Sequence, residues 1–277
     1  MQHPVGRPQV VAHRGASHEN PEHTLAAYVA ALDSGAEGLE CDVRLTADGH
    51  LVCVHDRRVD RTTNGRGVVS TMELADLDEL DFASWKNPWA DLDDEAPEID
   101  EDARRVLTVR RLLETARDYQ RPVDLAIETK HPTRYAGLVE RRLVETLASV
   151  GWSGARSPAR VMSFSPVALT RVKKLAPALE VVLLVDHRYS WKVGTNVLGS
   201  GWVAGPGIDL VRENPRRVTR LRRRGHRVHV WTVNDPADLD LCVSLGVEAV
   251  ITDRPAPILA LLDGFDPTPP GKHSMDD

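Results

Sequence analysis

This 277-residue chain predicts an α/β fold, a (β/α)8 TIM barrel with a small insertion after the second strand, on three observations. Short β-branched runs alternate with stretches of helical period along nearly the whole length. Eight such units can be counted in one chain, which suits a closed ring of parallel strands. The alternation breaks once, for roughly 50 residues after the second strand, far beyond the usual βα loop. A doubly wound parallel sheet is the alternative arrangement of the same units.

The elements follow in order. Strands are expected around Val10–Ala12, Gly38–Leu45, Val123–Glu128, Arg160–Ser163, Val181–Val185, Ile208–Val211, Val228–Val233 and Ala249–Thr252. Helices are expected over Thr24–Asp33, Thr108–Tyr119, Tyr135–Val150, Pro166–Leu175, Pro215–Arg224, Pro236–Leu245 and Ala256–Leu262. The fifth unit has the weakest helical period, in "HRYSWKVGTNVLGSGWVAGPG". The barrel domain is placed at 8–264 with its insertion at about 57–105, and the tail 265–277 is expected to be disordered.

Composition narrows the function classes. No apolar run approaches the ~18 residues of a membrane span, and no secretory signal is recognisable, so a cytoplasmic protein without stable membrane insertion is expected. Cys41, Cys53 and Cys242 lack CxxC spacing, which argues for small core residues rather than disulfides or a zinc site. From Glu73 to Asp102 thirteen acids face Lys86 alone, a net −12 that leaves +6 on the rest of a chain whose total is −6. A basic body bearing one acidic insertion suits a small anionic ligand. The run "RRVTRLRRRGHR", Arg216–Arg227, reads as a solvated outer helix face, so no nucleic-acid partner is expected.

The chemistry gathers at strand ends. "VVAHRG" delivers His13 and Arg14, "LVCVHD" delivers His55 and Asp56, and "AIETK" delivers Glu128 and Lys130. In "GLECDVRL", Glu40 and Asp42 stand two apart on a strand and so share a face. Three carboxylates from adjacent strands form an all-oxygen site suited to one divalent cation, Mg²⁺ or Ca²⁺. Arg14 and Lys130 beside it favour phosphate oxygens, and two histidines supply an acid and a base near neutral pH. One histidine at a strand end is ordinarily structural; seven such groups on the first three strand units point to phosphoryl chemistry.

The ordered segments "HRGASHENPEHTLAAY", "GLECDVRLTADGHLVCVHD", "RTTNGRGVVSTMELADLD", "AIETK", "VMSFSP", "VHVWTVND" and "GVEAVITDRP" together resemble the glycerophosphodiester phosphodiesterase family, from about Val10 to Pro255. The resemblance implies hydrolysis of a small-molecule glycerophosphodiester to sn-glycerol 3-phosphate and an alcohol. It further implies His13 and His55 as the acid/base pair, Glu40, Asp42 and Glu128 as metal ligands, Arg14 and Lys130 as phosphate-binding residues, and Trp231 as a substrate-pocket wall with Asn234 nearby. One departure stands out: "PEHT" carries His23 where the family commonly has Asn, next to the expected N-cap Thr24. His18, in the same loop, is read as a solvated side chain.

Two other functions compete. A phospholipase D-like enzyme of the same superfamily, acting on lysophospholipids, would need a wide apolar mouth near the insertion. A non-catalytic ligand-binding barrel is disfavoured because no expected histidine or carboxylate is missing. Trp85 and Trp89 could cage a quaternary ammonium such as choline, but in a small insertion they are expected to form its core.

Overall fold

A computed structural model describes residues 7–86, 104–135, 137–188 and 198–264. Its strands are β1 (Gln9–His13), β2 (Gly38–Leu45), β3 (Leu51–Cys53), β4 (Asp124–Thr129), β5 (Ala159–Ser163), β6 (Glu180–Val185), β7 (Val203–Pro206), β8 (His229–Val230) and β9 (Ala249–Thr252). The sheet order is β7-β6-β5-β4-β2-β1-β9-β8, with β3 paired antiparallel to β2. Parallel bridges Ala204–Val228 and Gly207–Trp231 join β7 to the β8 segment, so the eight parallel strands come round to a nearly closed barrel.

Around it run α1 (Leu25–Asp33), α2 (Leu74–Asp78), α3 (Val109–Asp118), α4 (Leu138–Ser149), α5 (Pro166–Leu175), α6 (Ile208–Glu213), α7 (Pro215–Arg223), α8 (Pro236–Ser244) and α9 (Pro255–Asp263). Their starts follow local chemistry. The hydroxyls of Thr24, Thr108 and Ser165 accept from the backbone amides of Ala27, Arg111 and Ala168, and proline begins α5, α7, α8 and α9.

Strand alternation divides the interior. Val10, Ala12, Cys41, Val43, Leu125, Ile127 and Val161 face the helices in one large core. Val11, Ala126, Met162, Val182 and Ile251 face the lumen, so the polar residues that share their parity, His13, Glu40, Asp42, Glu128 and Arg160, face it too. Cys41, Cys53 and Cys242 are buried free thiols, as expected of small core residues. A second, smaller core of Val52, Val54, Val59, Val69, Leu77, Phe82 and Val106 lies under the insertion. Trp89, the acidic stretch Asp91–Asp102 and the tail 265–277 lie outside the described residues.

One strand expectation fails. Ile208–Val211 is the start of α6, and the strand of that unit is Val203–Pro206. "VAGP" carries little apolar bulk because the lumen leaves none: a Cβ on Gly205 would stand 2.8 Å from Leu184 Cδ2 and 3.0 Å from Val182 Cγ1. The apolar "IDLV" turns helical with Asp209 and Arg212 paired at 2.9 Å across i and i+3.

A polar network closes the lower end of the lumen. Gln9 donates to Asp124 at 2.7 Å and accepts from buried Arg160 at 2.9 Å, while Glu248 meets His229 at 3.2 Å and Arg227 at 3.3 Å. Burial alone would raise the Glu248 carboxyl, but His229 and Arg227 hold it at about 2. Its stabilisation is therefore present above its ordinary value of 4.5 and lost as pH falls toward about 2. In urea unfolding across that window, Glu248→Gln is expected to show a shallower loss of stability than the unaltered protein.

Candidate active site

The upper end of the lumen opens into a pocket of about 340 Å³ lined by His13, Arg14, Glu40, His55, Glu128 and Lys130, with Phe164, Leu184 and Trp231 on the opposite wall. The strand register explains the polar group. Glu40 lies beside His13 across the β1–β2 pairing, and Asp42 beside Glu128 across the β2–β4 pairing. Oxygens of Glu40, Asp42 and Glu128, all three buried, lie within 4.8 Å of one another.

Their electrostatics is unequal. Burial would raise the Asp42 carboxyl, but a hydrogen bond from His23 and the charges of Lys130 and Arg14 hold it well below the usual carboxylate range. Burial and the Asp42 charge push Glu40 well up, and push Glu128 to about 8. Lys130 Nζ bridges two of the three, 2.9 Å from Asp42 Oδ1 and 2.8 Å from Glu128 Oε1. Three buried carboxylates within 4.8 Å of one another, two of them sharing the single ammonium of Lys130, fit a hard divalent cation, which would relieve their mutual repulsion.

Each histidine is backed by a carboxylate. His13 Nδ1 donates to Asp253 Oδ1 at 2.6 Å, which leaves Nε2 facing the pocket, 3.9 Å from Glu40 Oε2. Asp253 also accepts from Ser17 at 3.0 Å and from Asn234 at 2.7 Å. Against the effect of burial, these bonds hold its carboxyl below the ordinary range. His55 Nδ1 donates to Asp56 Oδ1 at 2.8 Å, and Arg61 anchors Asp56 at 2.5 Å. Burial, followed by the charges of Arg14 and Lys130, lowers His55 to about 4 against the pull of Asp42.

Backbone conformation aims Arg14. It takes φ +58°, an arrangement that costs a non-glycine residue roughly 1–2 kcal/mol. Its amide donates to Glu40 Oε2 at 3.1 Å, and its guanidinium pairs with Asp42 at 3.1 Å and Glu22 at 3.1 Å. The next residue must be glycine: Gly15 has φ +87°, and a Cβ there would stand 2.6 Å from the Ala27 carbonyl carbon.

All eight residues expected at the site, Trp231 included, are thus gathered at one end of the barrel. A ninth member was not singled out from sequence. Asp253, 240 residues from His13, follows the last strand in "ITD", where a strand-end carboxylate was a readable signal. His23 is buried and links Asp42, at 2.9 Å, to the Tyr28 hydroxyl, at 2.8 Å. Asn234 braces Asp253 rather than lining the pocket. Trp231 donates to the Gly205 carbonyl at 2.8 Å and meets half-exposed Phe164 edge to face at 5.5 Å. His18 is exposed, as expected. Trp85 has Arg61 at 5.9 Å and Lys86 at 6.0 Å over its ring, so cations of the chain itself already meet this aromatic face.

Comparison with known proteins agrees with this architecture. Residues 13–257 match the model of the glycerophosphoryl diester phosphodiesterase family. A Mycobacterium tuberculosis protein named "Probable glycerophosphodiester phosphodiesterase 1" is 45% identical over 264 residues, covering 94% of each chain. A Bacillus subtilis glycerophosphodiester phosphodiesterase is 35% identical, over 88% of this chain and 83% of its own. Among solved structures, a phosphodiesterase from Oleispira antarctica in complex with the product sn-glycerol-3-phosphate superposes with a TM-score of 0.78 at 27% identity, covering 92% of this chain and 97% of its own.

Proposed function

The chain belongs to the glycerophosphoryl diester phosphodiesterase family and is a phosphoric diester hydrolase, and from that premise we propose how its pocket cleaves a glycerophosphodiester into sn-glycerol 3-phosphate and an alcohol. The observation that carries the reading is the convergence, at one pocket, of two carboxylate-backed imidazoles, two fixed cations and the carboxylates Glu40 and Glu128, with Asp42 directly behind them.

Glu40, Asp42 and Glu128 would hold one divalent cation, Mg²⁺ or Ca²⁺. When bound, such an ion supplies Lewis-acid stabilisation of charge on phosphoryl oxygens. Arg14 and Lys130 bind the remaining phosphate oxygens and oppose charge that builds up as the P–O bond breaks. His55, kept neutral by burial, takes a proton at Nε2 from the attacking water, or from the glycerol 2-hydroxyl in a first step whose cyclic phosphate product is then opened by water to sn-glycerol 3-phosphate. His13 gives a proton from Nε2 to the leaving alkoxide, and Asp253 stabilises the imidazolium that precedes this step. Trp231 and Phe164 form the wall against which the organic part of the substrate packs. The thiols, buried and unpaired, suit a reducing compartment, which supports action in the cytoplasm.

No helix among the described residues is long and apolar enough to cross a membrane. The rival lysophospholipid reading calls for an apolar mouth near the insertion, where the lining mixes Arg44, Arg57 and Arg134 with Leu45, Val69 and Pro132. A panel of glycerophosphodiesters and long-chain lysolipids, assayed with each cation, tests the reading. Cleavage of glycerophosphocholine is expected, and cleavage of the lysolipid alone would overturn it.

A further inference from the structure

Beside the catalytic pocket, on the far side of Lys130, lies a second cavity of about 220 Å³. Arg44, Arg57, Lys130 and Arg134 line it, and no carboxylate does among the described residues. Arg44 continues the lumen-facing parity of Glu40 and Asp42 on β2 and caps the His55 carbonyl at 3.0 and 2.6 Å. Arg57 enters from the insertion and Arg134 from the loop after β4. The two walls are tied together, because Tyr135 donates to the Ser70 carbonyl at 2.8 Å while the Arg134 guanidinium lies 5.6 Å above the Tyr135 ring. Like charges gathered in one cavity repel, and an anion placed there would remove that cost.

We propose that this cavity binds an anionic group, a phosphate monoester, carried by the alcohol that leaves the phosphodiester. The proposal rests on the phosphodiesterase reading and names a substrate class for the same site. Lys130 belongs to both cavities, so a diester held at Arg14 and Lys130 can extend its alcohol between Arg44, Arg57 and Arg134. Guanidinium groups match phosphate oxygens bidentately, which favours a phosphate over a single carboxylate. The reaction itself is unchanged: water adds to phosphorus, the P–O bond to the alcohol breaks, and the alkoxide takes a proton.

The test compares glycerophosphoinositol with glycerophosphoinositol 4-phosphate, a pair that differs by one phosphate monoester, with glycerophosphocholine as control. The phosphorylated substrate is expected to show about ten-fold higher kcat/KM, expressed in KM, since exposed charge pairs are individually weak and here act together. The double variant Arg57→Gln/Arg134→Gln is expected to reduce that advantage below about two-fold and to leave glycerophosphoinositol turnover unchanged. Equal kcat/KM for the pair, or an advantage that survives the double variant, overturns the subsite alone. Cleavage of glycerophosphocholine without cleavage of either inositol substrate does the same. Cleavage of none of the three overturns the phosphodiesterase reading and the subsite with it.

Discussion

His13→Ala and His55→Ala are each expected to lower kcat for a glycerophosphodiester by about 10²–10⁴-fold, the usual worth of a positioned acid or base. The two variants should fold. Removing His13 leaves Asp253 its hydrogen bonds from Ser17 and Asn234, so no buried carboxylate is stranded. Removing His55 leaves Asp56 bonded to Arg61, and the lost side chain is one-third exposed. Activity and stability therefore separate. Loss of turnover with little change in urea midpoint is the expected pattern, and the loss should appear in kcat rather than KM, because neither imidazole is asked to hold the ground-state phosphate. Turnover that survives both substitutions would remove the histidines from the mechanism.

Removing the cation is expected to have an effect of similar size. Chelation should abolish hydrolysis, with Mg²⁺ or Ca²⁺ restoring it. Among the ligands, Glu128→Gln is the informative variant. Asp42 also holds His23, Arg14 and Lys130, so its loss would strand three cationic or polar partners and confuse stability with binding. Among the described residues, Glu128 has Lys130 alone as a cationic partner within ion-pair distance, and its glutamine keeps the shape with a weaker ligand oxygen. Titration calorimetry of Glu128→Gln is expected to show cation affinity reduced by at least about ten-fold, a loss typical even of residues that only support a metal ligand. Full activity in a chelated preparation would contradict the three-carboxylate site.

How much of this could be read from sequence follows from which physical rules are local. The two-residue spacing of Glu40 and Asp42, and of Glu128 and Lys130, encodes a shared face directly, because strand side chains alternate. Once eight units imply a barrel, those faces must meet at its mouth. Helix starts at Thr24, Thr108 and Ser165 were legible for the same reason, since a cap acts over three residues. What was hidden depends on closure of the ring. Asp253 meets His13 because β9 pairs with β1, and its strand-end position marks the mouth without naming its partner. His23, bridging Asp42 and Tyr28, drew notice only as a departure from a familiar motif. The strand Val203–Pro206 was missed because its lumen position demands glycine, so it lacks the apolar run that marks its neighbours. Phe164 stands exposed at the mouth against Trp231, a placement that only the closed ring brings about.

The most direct test of the whole account is the release of sn-glycerol 3-phosphate from glycerophosphocholine by the unaltered protein, followed with saturating Mg²⁺ or Ca²⁺ and again after chelation. Stoichiometric sn-glycerol 3-phosphate and choline, formed only with the cation, is the predicted result. Release of phosphocholine and glycerol, or no cleavage under either condition, would contradict it.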